Sequence, residues 1–548
     1  MNLFAKAHTE KAHAAEYLLN KYSKKSDSVI SMTVNFYEDT KCEKDNYRIG
    51  TGKDEIKVFA NTAVGFNAAA GYLVRHCDGK ISDVDITFES DFRAVYFANH
   101  FYNYYHSAPT EEICEYIESL ALWGQNALCL WFDMHHFESA FQPEAAEMIE
   151  KMKCLFKKAK SLGMKTSLTR LANEYYSKAP AQTLAENSTE SGKYEQKLCG
   201  FYYTELCPSS TLGENLLLSS FRELMECFLP VGLDYIMLWP YDQGGCTCNN
   251  CYPWGSNGFY KLAKKQAKIA KEYYPHMEII FSCWRFDHFT GKGKEWSSVV
   301  PLVREDGEWI DRLMVDIDSE STPYDLDKLS GKPVVSFPEI SMRNATPWGG
   351  FGANPFPAEL SAQFKRTFRF CKGGALYSEG IFEDINKAVS LELMRDHTID
   401  PKQTVLEYCN YHFGAEYSEQ LAEIIFGLEK TLNRATFLDN ERCDFPSKKP
   451  YKLYSYKIEN PDFVKELSEK LLRLHKKLPA EVVKNPRYQL IFARVMGDLA
   501  LVKNDGVPNF ETDAIYSRLV DLYHAEKAYY FVSPITTESI MENRGGGI

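Results

Sequence analysis

The sequence predicts an α/β fold, a (β/α)8 TIM barrel with a small N-terminal α+β domain before it and a C-terminal α-helical domain after it. Three observations predict this. Between positions 93 and 378, eight short apolar runs read as buried strands, and amphipathic helices fall between most of them. The first 89 residues follow a β-rich pattern around a helix of small residues. From about residue 396 onward the periodicity is helical only. A chain of 548 residues also exceeds what one hydrophobic core holds, so divisions are expected at 1–89, 90–395 and 396–548.

In the N-terminal part, an opening helix is expected from Phe4 to Tyr22, then a strand in SVISMTVNFYE. KDEIKVFANTAVGFNAAAGYLVRHC reads as a short strand, a turn and a helix, and ISDVDITFES as a further strand. The expected barrel strands are Arg93–Ala98, Ala127–Asp133, Lys165–Leu171, Tyr235–Trp239, Glu278–Trp284, Arg312–Ile317, Val334–Pro338 and Ala375–Ser378. Apolar stripes place helices at Thr110–Trp123 (capped by Thr110), Pro143–Ser161, Leu216–Phe228 and Asn257–Tyr274. The run GFYYTEL (Gly200–Leu206) is assigned to a long loop, because counting it would give the barrel a ninth strand. C-terminal helices are expected at Pro401–Phe413, Ser418–Asn433, Pro461–Lys476, Pro486–Lys503 and Phe510–Phe531, followed by a tail ending in ENRGGGI.

The net charge of −12 argues against nucleic acid as a partner, since phosphate binding needs a basic face. No stretch reaches the ~18 consecutive apolar residues of a membrane span, so no membrane partner is expected. The N-terminus lacks the apolar core of a signal peptide, and the fifteen cysteines are an odd number. They are read as reduced thiols in a cytoplasmic protein. A homodimer is compatible with this composition.

In parallel barrels the chemistry sits where strands end and loops begin. The most informative stretch is GLDYIMLWPYDQGGCTCNNCYPWGSNG, from Gly232 to Gly258. Its apolar strand ends at Trp239, and Tyr241 and Asp242 follow Pro240. Other strand ends offer His100 and Tyr104, Asp133 and His135, Arg170, Asn173 and (later in that loop) Glu205. Further on come Trp284 and Arg285, Asp316, Glu339 with Trp348, and Tyr377 with Glu379. Several carboxylates among flat aromatic rings suit glycoside cleavage. One acid protonates the leaving oxygen, and a second carboxylate attacks, activates water or orients the substrate. Aromatic faces match the C–H face of a sugar, while Asn, His and Arg bind hydroxyls. Asp242 is the expected general acid, with Glu339, Glu379 and Asp316 as the other catalytic carboxylates. Glu383 and Asp384 read as the first residues of a helix.

Cys246, Cys248 and Cys251 form a C-x-C-x2-C motif in the same loop. Structural zinc takes four ligands, and Cys207 or Cys199 could supply the fourth. The expected role is structural, either a zinc site or reduced thiols pinning the loop. No cofactor is expected to be required for catalysis.

The order of parts, with FRAVYFANHFYNYY opening the barrel, an acid after strand four and a helical C-terminus, resembles glycoside hydrolases of families 20, 67 and 84. These are β-N-acetylhexosaminidases, α-glucuronidases and O-GlcNAcase-like enzymes. The first and third carry an acidic pair after strand four, where this chain has Asp242-Gln243. The α-glucuronidase type carries acids after strands four, six and seven, onto which Asp242, Asp316 and Glu339 can be laid. The resemblance implies an exo-acting glycosidase with a carbohydrate or glycoconjugate substrate. The residues also admit a metal-dependent hydrolase or redox enzyme using the cysteine cluster or His100, His135 and His136, and a carbohydrate-binding protein without turnover.

Overall fold

A computed structural model describes residues 2–23, 31–77, 81–101, 103–186, 204–240, 245–288, 294–316, 322–323, 325–341, 352–368, 370–431, 435–436, 451–452, 455–456, 460–525 and 532–533. The first five strands form one sheet: β1 (Asn2–Ala7), β2 (Ser31–Glu38), β3 (Tyr47–Thr51), β4 (Glu55–Ala60) and β5 (Val84–Ile86), in the order β1-β2-β4-β3-β5. Helices His13–Tyr22 and Ala63–His76 pack on it and on each other. The opening residues differ from the expected helix. Asn2–Ala7 pairs in parallel with β2, from Asn2 opposite Ser31 to Ala7 opposite Phe36, and the helix begins only at His13. Leu3 is buried while Phe4 is exposed, an alternation with period two, and pairing with β2 overrides the local helical preference.

The next strands close the barrel. They are β6 (Arg93–Phe97), β7 (Ala127–Trp131), β8 (Lys165–Leu171), β11 (Tyr235–Trp239), β12 (Glu278–Ser282), β13 (Arg312–Val315), β14 (Val334–Ser336) and β15 (Gly374–Ser378). All eight pair in parallel in this order, and β15 pairs with β6 to complete the ring. Every residue of β6, β7, β11 and β15 is buried, as expected of strands covered on both faces. Two short strands between β8 and β11, β9 (Glu174–Tyr175) and β10 (Thr204–Glu205), form an antiparallel ribbon outside the ring. Thr204 and Glu205 therefore lie outside the ring, as their exclusion from the barrel-strand count requires.

Side chains alternate along each barrel strand. On β6, Tyr96 faces inward to Phe337 and Tyr377, while Phe97 stacks outward on Tyr105 and meets Tyr116 of the helix Thr110–Ala121. That helix is capped differently from the expectation. Pro109 occupies the cap position without a side-chain bond, and Thr110 is the first helical residue. The helix after β11 begins with a wider π turn, Gly255–Tyr260, before regular helix Lys261–Tyr273. At its start, Gly245 and Gly258 lie so close to the buried Trp254 ring that a Cβ on either would fall 2.5 or 2.1 Å from it.

Buried charges join the layers. Arg93, at the start of β6, pairs with Asp45 of the N-terminal part at 2.7 Å and stacks on Phe88. Helix Asp384–Arg395 follows β15, and helices Pro401–Phe413, Ser418–Glu429, Pro461–His475, Ala480–Lys484, Pro486–Lys503 and Phe510–Tyr523 come after it, in the region where the sequence pattern is helical. Asp384 accepts hydrogen bonds from Tyr116, Tyr408 and Arg487, tying this part to the barrel's first helix.

Candidate active site

The C-terminal ends of the strands carry a layer of aromatic rings. Tyr96 of β6 and Tyr377 of β15 stack with centroids 5.9 Å apart, and both touch Phe337, which follows β14. Phe337 meets Trp239 at the end of β11 (4.8 Å), which also contacts Trp284 after β12 (5.4 Å) and Trp131 at the end of β7 (6.3 Å). His100 stacks on Trp131 at 4.7 Å, and its Nδ1 is 3.1 Å from the Tyr96 hydroxyl. Six strand ends therefore contribute to one continuous aromatic cup. Trp284 Nε1, buried in it, has no hydrogen-bond partner among the described residues.

Two acids belong to this cup. Tyr377 and Glu379 stand two residues apart on the same face of β15 and its extension, and the Tyr377 hydroxyl donates to Glu379 Oε1 at 2.5 Å. Burial pushes the Glu379 carboxyl up to about 8, the Tyr377 bond opposes the rise, and the charges of Glu383 and Glu339 add to it. The net shift favours the protonated form of Glu379 near neutral pH. Glu339, after β14, is only half-buried, and its charge also acts on Tyr377. The backbone around Glu379 is held from both sides. Glu383 accepts from the N–H groups of Glu379 (2.6 Å) and Gly380 (2.9 Å), and the Tyr523 hydroxyl donates to the Glu379 carbonyl (2.8 Å). Glu383 occupies the N-cap position of the helix that follows β15, without a side-chain cap bond, and Asp384 is the first residue of that helix.

On the β12–β13 side, Arg285 lies over the Trp284 ring (4.8 Å) and 4.0 Å from the Asp316 carboxylate. Arg285 and Asp287 have positive φ, +52° and +65°, which side-chain-bearing residues rarely adopt. Reciprocal bonds between Asp287 and Glu295 brace that turn: Asp287 N–H donates to Glu295 and Glu295 N–H donates to Asp287.

After β7, Asp133 is fully buried and pairs with His135 (2.5 Å) and His136; His135 also lies 3.2 Å from Glu174. Burial pushes Asp133 up, but the two imidazoles outweigh it and hold the carboxyl well below its usual range. Burial lowers His135 while Asp133 and Glu174 raise it, to a net value of about 9. His100, by contrast, is driven down to about 3 by burial and stays neutral.

Some expected site residues are engaged elsewhere. Arg170 points outward to Phe221 of the helix Thr211–Cys227, and its guanidinium donates to the carbonyls of Leu171 and Glu174. Tyr104 donates to Glu112 and packs on Tyr523, outside the ring. Asn173 donates to Glu205 and to the Leu206 carbonyl beside the β9–β10 ribbon that follows β8. Tyr241, Asp242, Trp348 and Cys199 lie outside the described residues. The aromatic partners Tyr96, Trp131 and Phe337 are not among the expected site residues. Strand alternation places Tyr96 and Trp131 inward, and Phe337 immediately follows a strand.

No protein-family model and no curated protein matches the chain. Solved structures do resemble it. A family 115 4-O-methyl-α-glucuronidase with specificity for decorated arabinogalactans superposes with a TM-score of 0.60 at 10% identity, over 96% of this chain and 77% of its own. A family 89 glycoside hydrolase from Clostridium perfringens, solved with GlcNAc-α-1,4-galactose, gives 0.59 at 13% identity over 94% and 65%. A family 20 exo-β-N-acetylglucosaminidase from Vibrio harveyi gives 0.50 at 11% identity over 78% and 74%. The chain shares the fold of these TIM-barrel glycoside hydrolases, one of them from a family that the order of parts in the sequence also resembles.

Proposed function

We propose that the protein is a glycoside hydrolase that removes a terminal sugar, with Glu379 as proton donor and Glu339 as the partnering carboxylate. One observation carries this reading: the buried Glu379 carboxyl, hydrogen-bonded to Tyr377 of the aromatic cup, is pushed toward its protonated form by burial and feels the charge of the half-buried Glu339. A buried acid near pH 7 can protonate a glycosidic oxygen, and an ionised partner can stabilise or attack the anomeric carbon or activate water. Trp239 and Trp284 offer faces for the ring, and the indole N–H of Trp284 is a donor for a hydroxyl. Arg285 and Asp316 supply an acceptor and donors on the β12–β13 side.

Asp242, the donor expected from the sequence, follows the cup residue Trp239 by three positions, and that chain position supports it as the rival donor. Leaving-group dependence separates the two. A variant without the donor keeps activity on activated aryl glycosides, whose leaving groups need no proton, and loses it on unactivated ones. Glu379→Gln is expected to lose at least ~10²-fold on unactivated substrates and far less on activated ones. If Asp242→Asn gives that signature and Glu379→Gln slows both classes alike, the proton donor is Asp242. The substrate panel should contain N-acetylhexosaminides and uronosides, the classes on which the superposing enzymes act. Sugar binding without turnover of any of them would favour the carbohydrate-binding reading.

A further inference from the structure

We propose that Cys207, Cys246, Cys248 and Cys251 bind one structural zinc ion. The four sulfurs lie within 4.8 Å of one another. Cys207 Sγ is 3.7 Å from Cys248 Sγ and 3.8 Å from Cys251 Sγ. A tetrahedral zinc with Zn–S bonds of about 2.3 Å sets its sulfurs about 3.8 Å apart. The spacing is far beyond a disulfide's S–S bond of about 2.05 Å. It encloses room for a single ion, whereas a four-iron cube with its own sulfides would push the cysteines further apart.

The groups around the sulfurs fit the same purpose. The Ser209 hydroxyl lies 3.0 Å from Cys207 Sγ and 3.5 Å from Cys248 Sγ. The Cys248–Cys251 turn is closed by backbone bonds from Cys251 and Tyr252 to the Cys248 carbonyl. A hydroxyl placed like that of Ser209 can donate to sulfur that carries thiolate charge. On binding, each thiol gives up its proton and donates a lone pair to the ion, with no redox change. Four protein ligands leave no open position, so the ion is structural.

Its structural effect follows from the barrel order. β8 and β11 are neighbours, so the segments following them run side by side. Cys207 follows the β9–β10 ribbon, which comes after β8, and the other three cysteines follow β11. The ion cross-links these segments across 39 positions of sequence from Cys207 to Cys246. None of this depends on the glycosidase reading.

Metal analysis of the full-length protein, purified under reducing conditions and exposed to zinc, tests the assignment. About one tightly held zinc per chain is expected, and Cys207→Ser should lose it while Cys154→Ser, an exposed cysteine elsewhere, keeps it. Should Cys207→Ser fail to fold, cobalt exchange into the unmodified protein decides. Intense thiolate-to-cobalt charge-transfer bands with the visible bands of tetrahedral cobalt would support the site. A chain that binds neither ion, zinc that survives Cys207→Ser, cobalt bound without thiolate bands, or stoichiometric iron instead of zinc would each overturn it.

Discussion

The Glu379 carboxyl links stability and activity through one proton. Its folded pKa, about 8, lies above the ordinary carboxyl value of 4.5, so it contributes stability fully present below about 4.5 and lost as pH rises through about 8. Glu379→Gln, which cannot ionise, is expected to melt higher than the unmodified protein at about pH 9, with the gap closing toward about pH 5. Parallel melting curves at all pH values would show that Glu379 carries no unusual proton. His100 acts in the opposite direction. Burial lowers it from 6.5 to about 3, so its neutral form stabilises the fold above about 6.5 and the contribution is lost as pH falls toward 3. Trp239 is the other decisive residue, since it meets Trp131, Trp284 and Phe337. Trp239→Ala should destabilise by about 3–5 kcal/mol and, in protein that still folds, raise KM for a sugar substrate. Chemical denaturation and steady-state kinetics check the two parts; an unchanged KM would remove the ring from the substrate site.

At the scale of elements, close backbone approach fixes where β15 enters the ring. Gly373 has φ +87°, and a Cβ there would lie 1.9 Å from Ser90 Oγ; at Gly374 it would lie 2.5 Å from the Ser336 carbonyl. Gly373→Ala should cost more than about 2 kcal/mol in a denaturation experiment, through strain and overlap together. A loss under about 0.5 kcal/mol would contradict that packing. The strands themselves were legible because parallel strands buried on both faces appear as short uninterrupted apolar runs between amphipathic helices. β1 was not, because NLFAKA becomes a strand only by pairing with β2, far along the chain. The direction of Arg170, toward Phe221, follows from alternation along β8 and not from its place near the strand end. The roles of Tyr104 and Glu205 depend on partners in distant segments, Tyr523 and Asn173, which no local pattern announces. Cys207 as fourth sulfur was visible only as one of two possibilities, since loop closure, not spacing, brings it to the motif.

At the scale of the whole molecule, buried ion pairs hold the barrel to the parts on either side. Arg487 lies 2.7 Å from Asp384, which also accepts from Tyr116 and Tyr408. Burial pushes that carboxyl up, but Arg487 and Lys387 outweigh it and keep Asp384 ionised well below the usual range. Arg487→Ala should destabilise the protein by about 3–5 kcal/mol, because a buried carboxylate is left without its cation. A denaturation midpoint within error of the unmodified protein would show the pair to be incidental. The barrel then serves as a rigid ring that brings acids from separate strands to one aromatic cup. In the proposed function this cup breaks glycosidic bonds. The direct test is product release from a library of unactivated exo-linked glycosides by the unmodified protein and by the Glu339→Gln and Glu379→Gln pair of variants. The account predicts turnover of at least one terminal sugar, reduced at least ~10²-fold in both variants while their folds remain intact. Turnover that survives both substitutions would contradict it.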